Sequence, residues 1–187
     1  MRLPAATTFC FAATDNGTPE KIRYPFGDEV RYGLKALPKD GGTHTPLIVN
    51  CPGIVPAGVR HDMVDFSDFL PTIADIAGAV LPSVILDGHS FWPQCRGEHG
   101  TPRSWIFQYY CARQARHHSE WGGGQFIWTQ NRHFKLYSSG EMYATSDRAE
   151  RARLEPGTNT TEDAARAVLQ AALDSMPARP AYECVIP

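Results

Sequence analysis

The apolar run Thr7-Thr8-Phe9-Cys10-Phe11-Ala12-Ala13-Thr14 stops abruptly at Asp15-Asn16-Gly17. A short stretch of this kind reads as a strand buried on both faces, and such strands belong to the parallel sheets of α/β proteins. The tripeptide has two readings. Asp and Asn bond their own backbone and Gly accepts φ > 0, so it is a turn. It also follows a strand toward the carboxyl edge of a sheet, where α/β proteins hold ligands, so a site for a cation is the second reading, behind the turn until the rest of the chain is considered.

The remaining elements fit the same class. Residues 45–53, Thr-Pro-Leu-Ile-Val-Asn-Cys-Pro-Gly, read as a second buried strand closed by a turn. Residues 65–78 carry Phe66, Phe69, Leu70, Ile73, Ile76 and Ala77 at the spacing of one helical face. Ser67 is the expected cap of that helix, Pro71 falls in its first turn and Gly78 suits its end. Residues 18–44 mix Gly, Pro and charge without a period and read as one long loop. Between 104 and 145, four aromatic-rich runs predict a small antiparallel sheet. Residues 160–176 close the chain as an amphipathic helix, with Val168, Leu169, Ala172, Leu173 and Met176 on one face and Thr160 or Thr161 as cap. The expected division is residues 1–100, holding part of a large mixed sheet, and residues 101–187, holding the small sheet and its helix.

Composition narrows the function classes. A net charge of -2 over 187 residues gives no electrostatic case for nucleic acid or an anionic membrane, and no apolar run is long enough to span a bilayer. The N-terminal stretch is interrupted by Pro4, Thr7 and Thr8 and is not read as a signal peptide; the compartment stays open. Five scattered cysteines (Cys10, Cys51, Cys95, Cys111, Cys184) form no Cys-x-x-Cys pair and are expected to be isolated buried thiols. His117-His118 and His99 lie in polar loops, and adjacent histidines point apart, so no shared metal is expected there.

The order of motifs carries a resemblance. Asp15-Asn16-Gly17 after a strand is followed by Lys35, then Asp-Gly-Gly-Thr-His-Thr-Pro-Leu-Ile-Val-Asn-Cys-Pro-Gly, then Asp-Phe-Ser-Asp-Phe-Leu-Pro-Thr-Ile-Ala-Asp-Ile-Ala-Gly. Leu-Asp-Gly-His-Ser-Phe-Trp comes next, and later Arg-His-Phe-Lys-Leu-Tyr. Over about residues 7–155 this succession resembles the C-terminal part of the sulfatases, in the alkaline-phosphatase-like superfamily. The resemblance implies an α/β fragment of that fold and hydrolysis of sulfate esters of a small molecule or glycan. It implies that Asp15 and Asn16 are ligands of a divalent cation, usually calcium, which hard oxygen donors suit. It implies that Lys35, five residues before Asp40, is a cation for the sulfuryl oxygens, with Lys39 as the rival assignment and Ala36 where the family usually has Gly. His44 lines the pocket on the same grounds, or hydrogen-bonds beside the strand. Asp65 and Asp68 are read as helix entry and capping.

Several parts of the family pattern are missing. Its nucleophile is a formylglycine made from Cys or Ser in a C/S-x-P/A-x-R stretch, and no cysteine or serine context here fits. The paired aspartates that complete the family's metal site are missing too. The expectation is a chain that needs the family's N-terminal portion as its partner and is inactive alone. A non-catalytic remnant or binding module, and a phosphoryl-transfer relative, are the other readings.

Overall fold

The structure, a computed structural model, describes residues 8–111 and 125–176. In chain order the elements are strands β1 (Cys10–Ala13), β2 (Arg23–Phe26) and β3 (Glu29–Tyr32), helical turn α1 (Asp40–Thr43) and strand β4 (Leu47–Asn50). Helices α2 (Phe69–Ala77) and α3 (Trp92–Cys95) follow, then strands β5 (Ile106–Cys111), β6 (Gln125–Gln130), β7 (Phe134–Tyr137) and β8 (Met142–Ala144), and helix α4 (Thr160–Ser175). They form two compact units, Met1–Ala13 with Pro46–Ile106, and Thr14–Thr45 with Phe107–Pro187.

In the first unit β1 and β4 pair antiparallel, Cys10 opposite Asn50 and Ala13 opposite Leu47. An antiparallel pair is compatible with the expected mixed sheet, but the expectation that the two strands are buried on both faces is not met. β4 alternates half-buried and exposed residues, with Ile48 62% exposed, as in a strand covered on one side only. Its core is aromatic. Phe11 meets Phe69 and Phe91 edge-on at 5.8 and 6.2 Å, and Phe9 meets Trp92 at 5.3 Å.

Helix α2 forms where the period places it, but its entry differs. A 3-10 turn, Phe66–Asp68, precedes it and Asp65, not Ser67, is the cap. The Asp65 carboxylate accepts from the Ser67 N–H at 2.9 Å, and Asp68 reaches back to the Asp65 N–H at 2.8 Å, the reciprocal arrangement of a capping box. Gly78 ends the helix with φ 63. The expected apolar face is only partly covered among the described residues: Phe69 and Ile76 are half-buried, with Phe69 against Phe11 and Phe91, but Phe66, Leu70 and Ile73 are more than half exposed, whereas Asp68, Pro71 and Thr72 are buried. Polar contacts decide this. Asp68 is paired with Arg103, and the Thr72 hydroxyl accepts from the Phe91 N–H at 3.0 Å.

In the second unit residues 18–44 are not one loop. β2 and β3 form a hairpin around Gly27-Asp28, and α1 adds a helical turn. A Gly-Asp pair between two strand-forming runs is a two-residue hairpin signal; Pro25 and the flanking charges disguised it. Cross-strand contacts hold the hairpin, with the Arg23 guanidinium over Tyr32 at 5.0 Å and Arg31 over Phe26 at 3.8 Å.

The expected C-terminal sheet forms in the order β5-β6-β7-β8. Register sorts its two faces. Thr129, Leu136 and Met142 share one face, and α4 covers it: Leu169 and Ala172 are buried there, and the Thr129 hydroxyl donates to the Leu169 carbonyl at 2.9 Å. Val168, expected on that face, is exposed. The cap of α4 is Asn159, one residue before the expected threonines; its side chain accepts from the Thr161 N–H at 2.9 Å. The opposite sheet face carries Trp128, Lys135, Tyr137 and Tyr143. Cys10, Cys51 and Cys95 are free thiols, and of these only Cys51 is fully buried. His117-His118 and Cys184 lie outside the described residues.

Candidate functional site

The second unit gathers three separate stretches of sequence by backbone contacts. The Gly17 N–H donates to the Gly42 carbonyl at 2.8 Å and the Lys35 N–H to the Thr18 carbonyl at 3.0 Å. A side chain at either central glycine would prevent the approach: a Cβ on Gly17 would lie 2.2 Å from the Gly41 oxygen, and one on Gly42 2.3 Å from the Leu34 oxygen. Glycine at 17 and 42 therefore lets the Asp15-Asn16 turn, the Lys35 segment and α1 come together.

The named candidates sit on this clasp. Asp15 is exposed and its carboxylate accepts from the Asn16 side-chain amide at 2.6 Å. Lys35 extends an exposed side chain. Its neighbour Ala36 has φ 71, a left-handed conformation unfavourable for any residue with a Cβ. The Tyr110 hydroxyl donates to the Ala36 carbonyl at 2.7 Å and holds that conformation. His44, largely exposed, places Nδ1 3.4 Å from the Asp40 carboxylate. That contact raises the His44 pKa, opposed by partial burial. Asp40 itself is 3% exposed and also meets the Arg148 guanidinium at 3.3 Å.

The donor set is a partial fit to a cation. Asp15 and Asn16 offer hard oxygen atoms of the type calcium takes, but calcium wants six to eight. Among the described residues no group of three or more His, Cys, Asp or Glu side chains is placed to hold a metal ion. No helix among the described residues is long and apolar enough to cross a membrane.

A second cluster escaped the sequence reading. Lys135 is 1% exposed; its Nζ donates to the Pro38 carbonyl and, at 2.9 Å, to Glu150 Oε1. The ammonium lies over the rings of Trp128 and Tyr137 at 4.2 and 4.7 Å. The Tyr137 hydroxyl donates to Glu150 Oε2 at 2.6 Å. Burial lowers the Lys135 pKa, offset in part by Glu150, and raises that of Tyr137. The signal was the alternation Phe134-Lys135-Leu136-Tyr137, which puts the lysine and the tyrosine on one strand face.

The first unit has an open groove of about 520 Å³ lined by Pro71, Asp75, Leu81, His89 and Ser90, among others; it holds none of the candidates. The Ser90 hydroxyl donates to Asp75 at 2.6 Å and accepts from the Trp92 N–H at 3.2 Å, so the serine is engaged in the entry to α3.

No family model matches the chain. The chain resembles the sulfatases. Arylsulfatase A of Bos taurus is 37% identical over 105 residues, which cover 54% of this chain and 20% of the relative. The chain thus spans about a fifth of the length of the curated relatives it matches. Among solved structures, a 2-O GAG sulfatase superimposes with a TM-score of 0.54 at 23% identity, over 73% of this chain and 30% of that one. A phosphonate monoester hydrolase from Silicibacter pomeroyi superimposes with a TM-score of 0.55 at 22% identity, over 78% and 32%. The fold is therefore part of the α/β fold that these hydrolases share.

Proposed function

We infer that the chain, a relative of the sulfatases, forms the part of a sulfatase that grips the sulfuryl group of a sulfate ester and half of the metal beside it. The carrying observation is the glycine clasp, which ties the Asp15-Asn16 turn and the Lys35 segment to the turn before His44. On this reading Lys35 is a compact cation for the sulfuryl oxygens and His44, whose pKa Asp40 raises, is a second donor to the same anion in its protonated form. Asp15 and Asn16 hold calcium, which supplies further positive charge to a sulfate oxygen.

A sulfuryl transfer also needs a nucleophile, and no C/S-x-P/A-x-R stretch occurs in this sequence. The nucleophile and the remaining metal ligands belong to a further portion of the fold. The exposed apolar side chains of the first unit, with Phe66, Leu70 and Ile73 more than half exposed and Val80 and Ile85 96% exposed, support a surface that such a portion covers. The substrate is a sulfated small molecule or glycan, in keeping with relatives named arylsulfatase and GAG sulfatase.

The test is titration of the chain with calcium and with inorganic sulfate. Calcium binds more weakly than about 10⁻⁵ M, because two side-chain donors make an incomplete shell; tighter binding contradicts the half-site. Inorganic sulfate binds, and Lys35→Ala weakens it by about tenfold, the loss for one charge-assisted hydrogen bond. The chain by itself turns over no aryl sulfate. Loss of sulfate binding in Lys39→Ala with none in Lys35→Ala would transfer the role to the other lysine. Preference for inorganic phosphate over sulfate would favour a phosphoryl-transfer relative.

A further inference from the structure

We propose that Lys135 is a positioning residue for the segment 36–41, whose flanks present Lys35 and His44. This rests on the sulfatase reading for what the segment binds, but not for how it is held. Residues of the C-terminal part of the second unit grip the segment at four points. The Tyr110 hydroxyl donates to the Ala36 carbonyl at 2.7 Å. Lys135 Nζ donates to the Pro38 carbonyl, which the Tyr137 hydroxyl also approaches at 3.3 Å. The Arg148 guanidinium meets Asp40 at 3.3 Å, and the Arg148 carbonyl accepts from the Gly41 N–H at 3.3 Å. Glu150, with its side chain 3% exposed and φ 55, ties the Lys135 ammonium to the same stretch as Arg148.

The choice of a buried lysine is what points to positioning. A buried ion pair contributes little net stability compared with apolar residues of the same volume. An apolar pair, however, cannot donate to the Pro38 carbonyl. Pro38 is itself fully buried, so without Lys135 its carbonyl loses its principal donor. A cation on two ring faces, bonded to a carboxylate and a carbonyl together, has one place to sit. It thereby fixes where residue 38 lies, and with it Lys35 three residues before and His44 six residues after.

The test uses the full chain and the double variant Lys135→Met with Glu150→Met, which leaves no orphaned charge. Three quantities are read: amide exchange, the His44 titration midpoint by NMR, and affinity for inorganic sulfate. The amides of Leu37, Gly41, Gly42 and His44 are expected to exchange at least tenfold faster than in the parent chain. Those of Ser138 and Leu154, bonded to Ile127 and Met142, keep their rates. The His44 midpoint falls toward the ordinary histidine value as its contact with Asp40, shared with Arg148, loosens. Sulfate binding weakens about tenfold at an unchanged unfolding midpoint. Unchanged exchange at 37–44 in the folded double variant, or equal acceleration in segment and sheet, overturns the proposal. If the double variant does not fold, Tyr137→Phe removes one of the two hydroxyl-bearing grips; acceleration confined to 37–44 is expected, and a uniform change overturns it. If the parent chain binds no sulfate, the sulfatase reading fails while the exchange result still decides the positioning.

Discussion

Ala36 is the residue whose conformation most plainly conflicts with its identity. Its φ of 71 belongs to the left-handed region, which costs a residue with a Cβ about 1–2 kcal/mol. The family resemblance places Gly there, and the strain is the physical reason. Ala36→Gly is therefore expected to stabilise the chain by up to about 1 kcal/mol, the relieved strain less the entropy that glycine loses on folding. Urea unfolding checks this, and a lowered midpoint would contradict it. His44 makes the pH prediction. Asp40 raises its pKa, so the folded chain favours the protonated ring. That contribution is complete below the ordinary histidine pKa of about 6.5 and is lost as pH rises through the raised value. Unfolding midpoints across that window should fall in the parent chain and change less in His44→Gln; identical profiles would place the titration elsewhere. The side chain is largely exposed, so the effect is small.

At the scale of elements, Asp68 does more than cap. It is 1% exposed, accepts from Arg103 Nε at 2.7 and 2.8 Å, bonds the His89 N–H at 2.7 Å and closes the capping box with Asp65. Removing one partner of a buried ion pair leaves the other uncompensated, at about 3–5 kcal/mol. Asp68→Ala is expected to lose that much stability by chemical denaturation; a loss under about 1 kcal/mol would show the pair to be solvent-screened. The existence of α2, α4 and the C-terminal sheet was legible in the sequence, because period and aromatic alternation are local. The local pattern misplaces their caps by one or two residues, at Ser67 and at Thr160 or Thr161, whereas the family resemblance reads Asp65 and Asp68 as entry and capping, as the structure has them. The hairpin at 23–32 was hidden by Pro25 and alternating charge. The buried side of α2 was legible only at Phe69 and Ile76. Periodicity identifies an apolar face, but the partners of Asp68 and Thr72, namely Arg103 and the Phe91 N–H, lie 35 and 19 residues away.

For the whole molecule, sequence order and spatial order part company. Residues 14–45 leave the first strand, join the unit built by residues from 107 onward, and return to β4. The candidate residues Asp15, Asn16, Lys35 and His44 therefore share a unit with the C-terminal sheet, and their common location rests on the clasp of Gly17 and Gly42. The motif order suggested these residues, but nothing local to any of them shows that their segments are tied together through Gly17, Thr18 and Gly42, nor that Lys135 grips the segment between Lys35 and His44. The direct measurement is an amide and side-chain NMR map of the chain titrated with inorganic sulfate. Perturbations concentrated at residues 14–18 and 34–44, and lost in Lys35→Ala, are the predicted result. Perturbations absent there, or confined to the groove lined by Pro71, Leu81 and His89, would contradict the account.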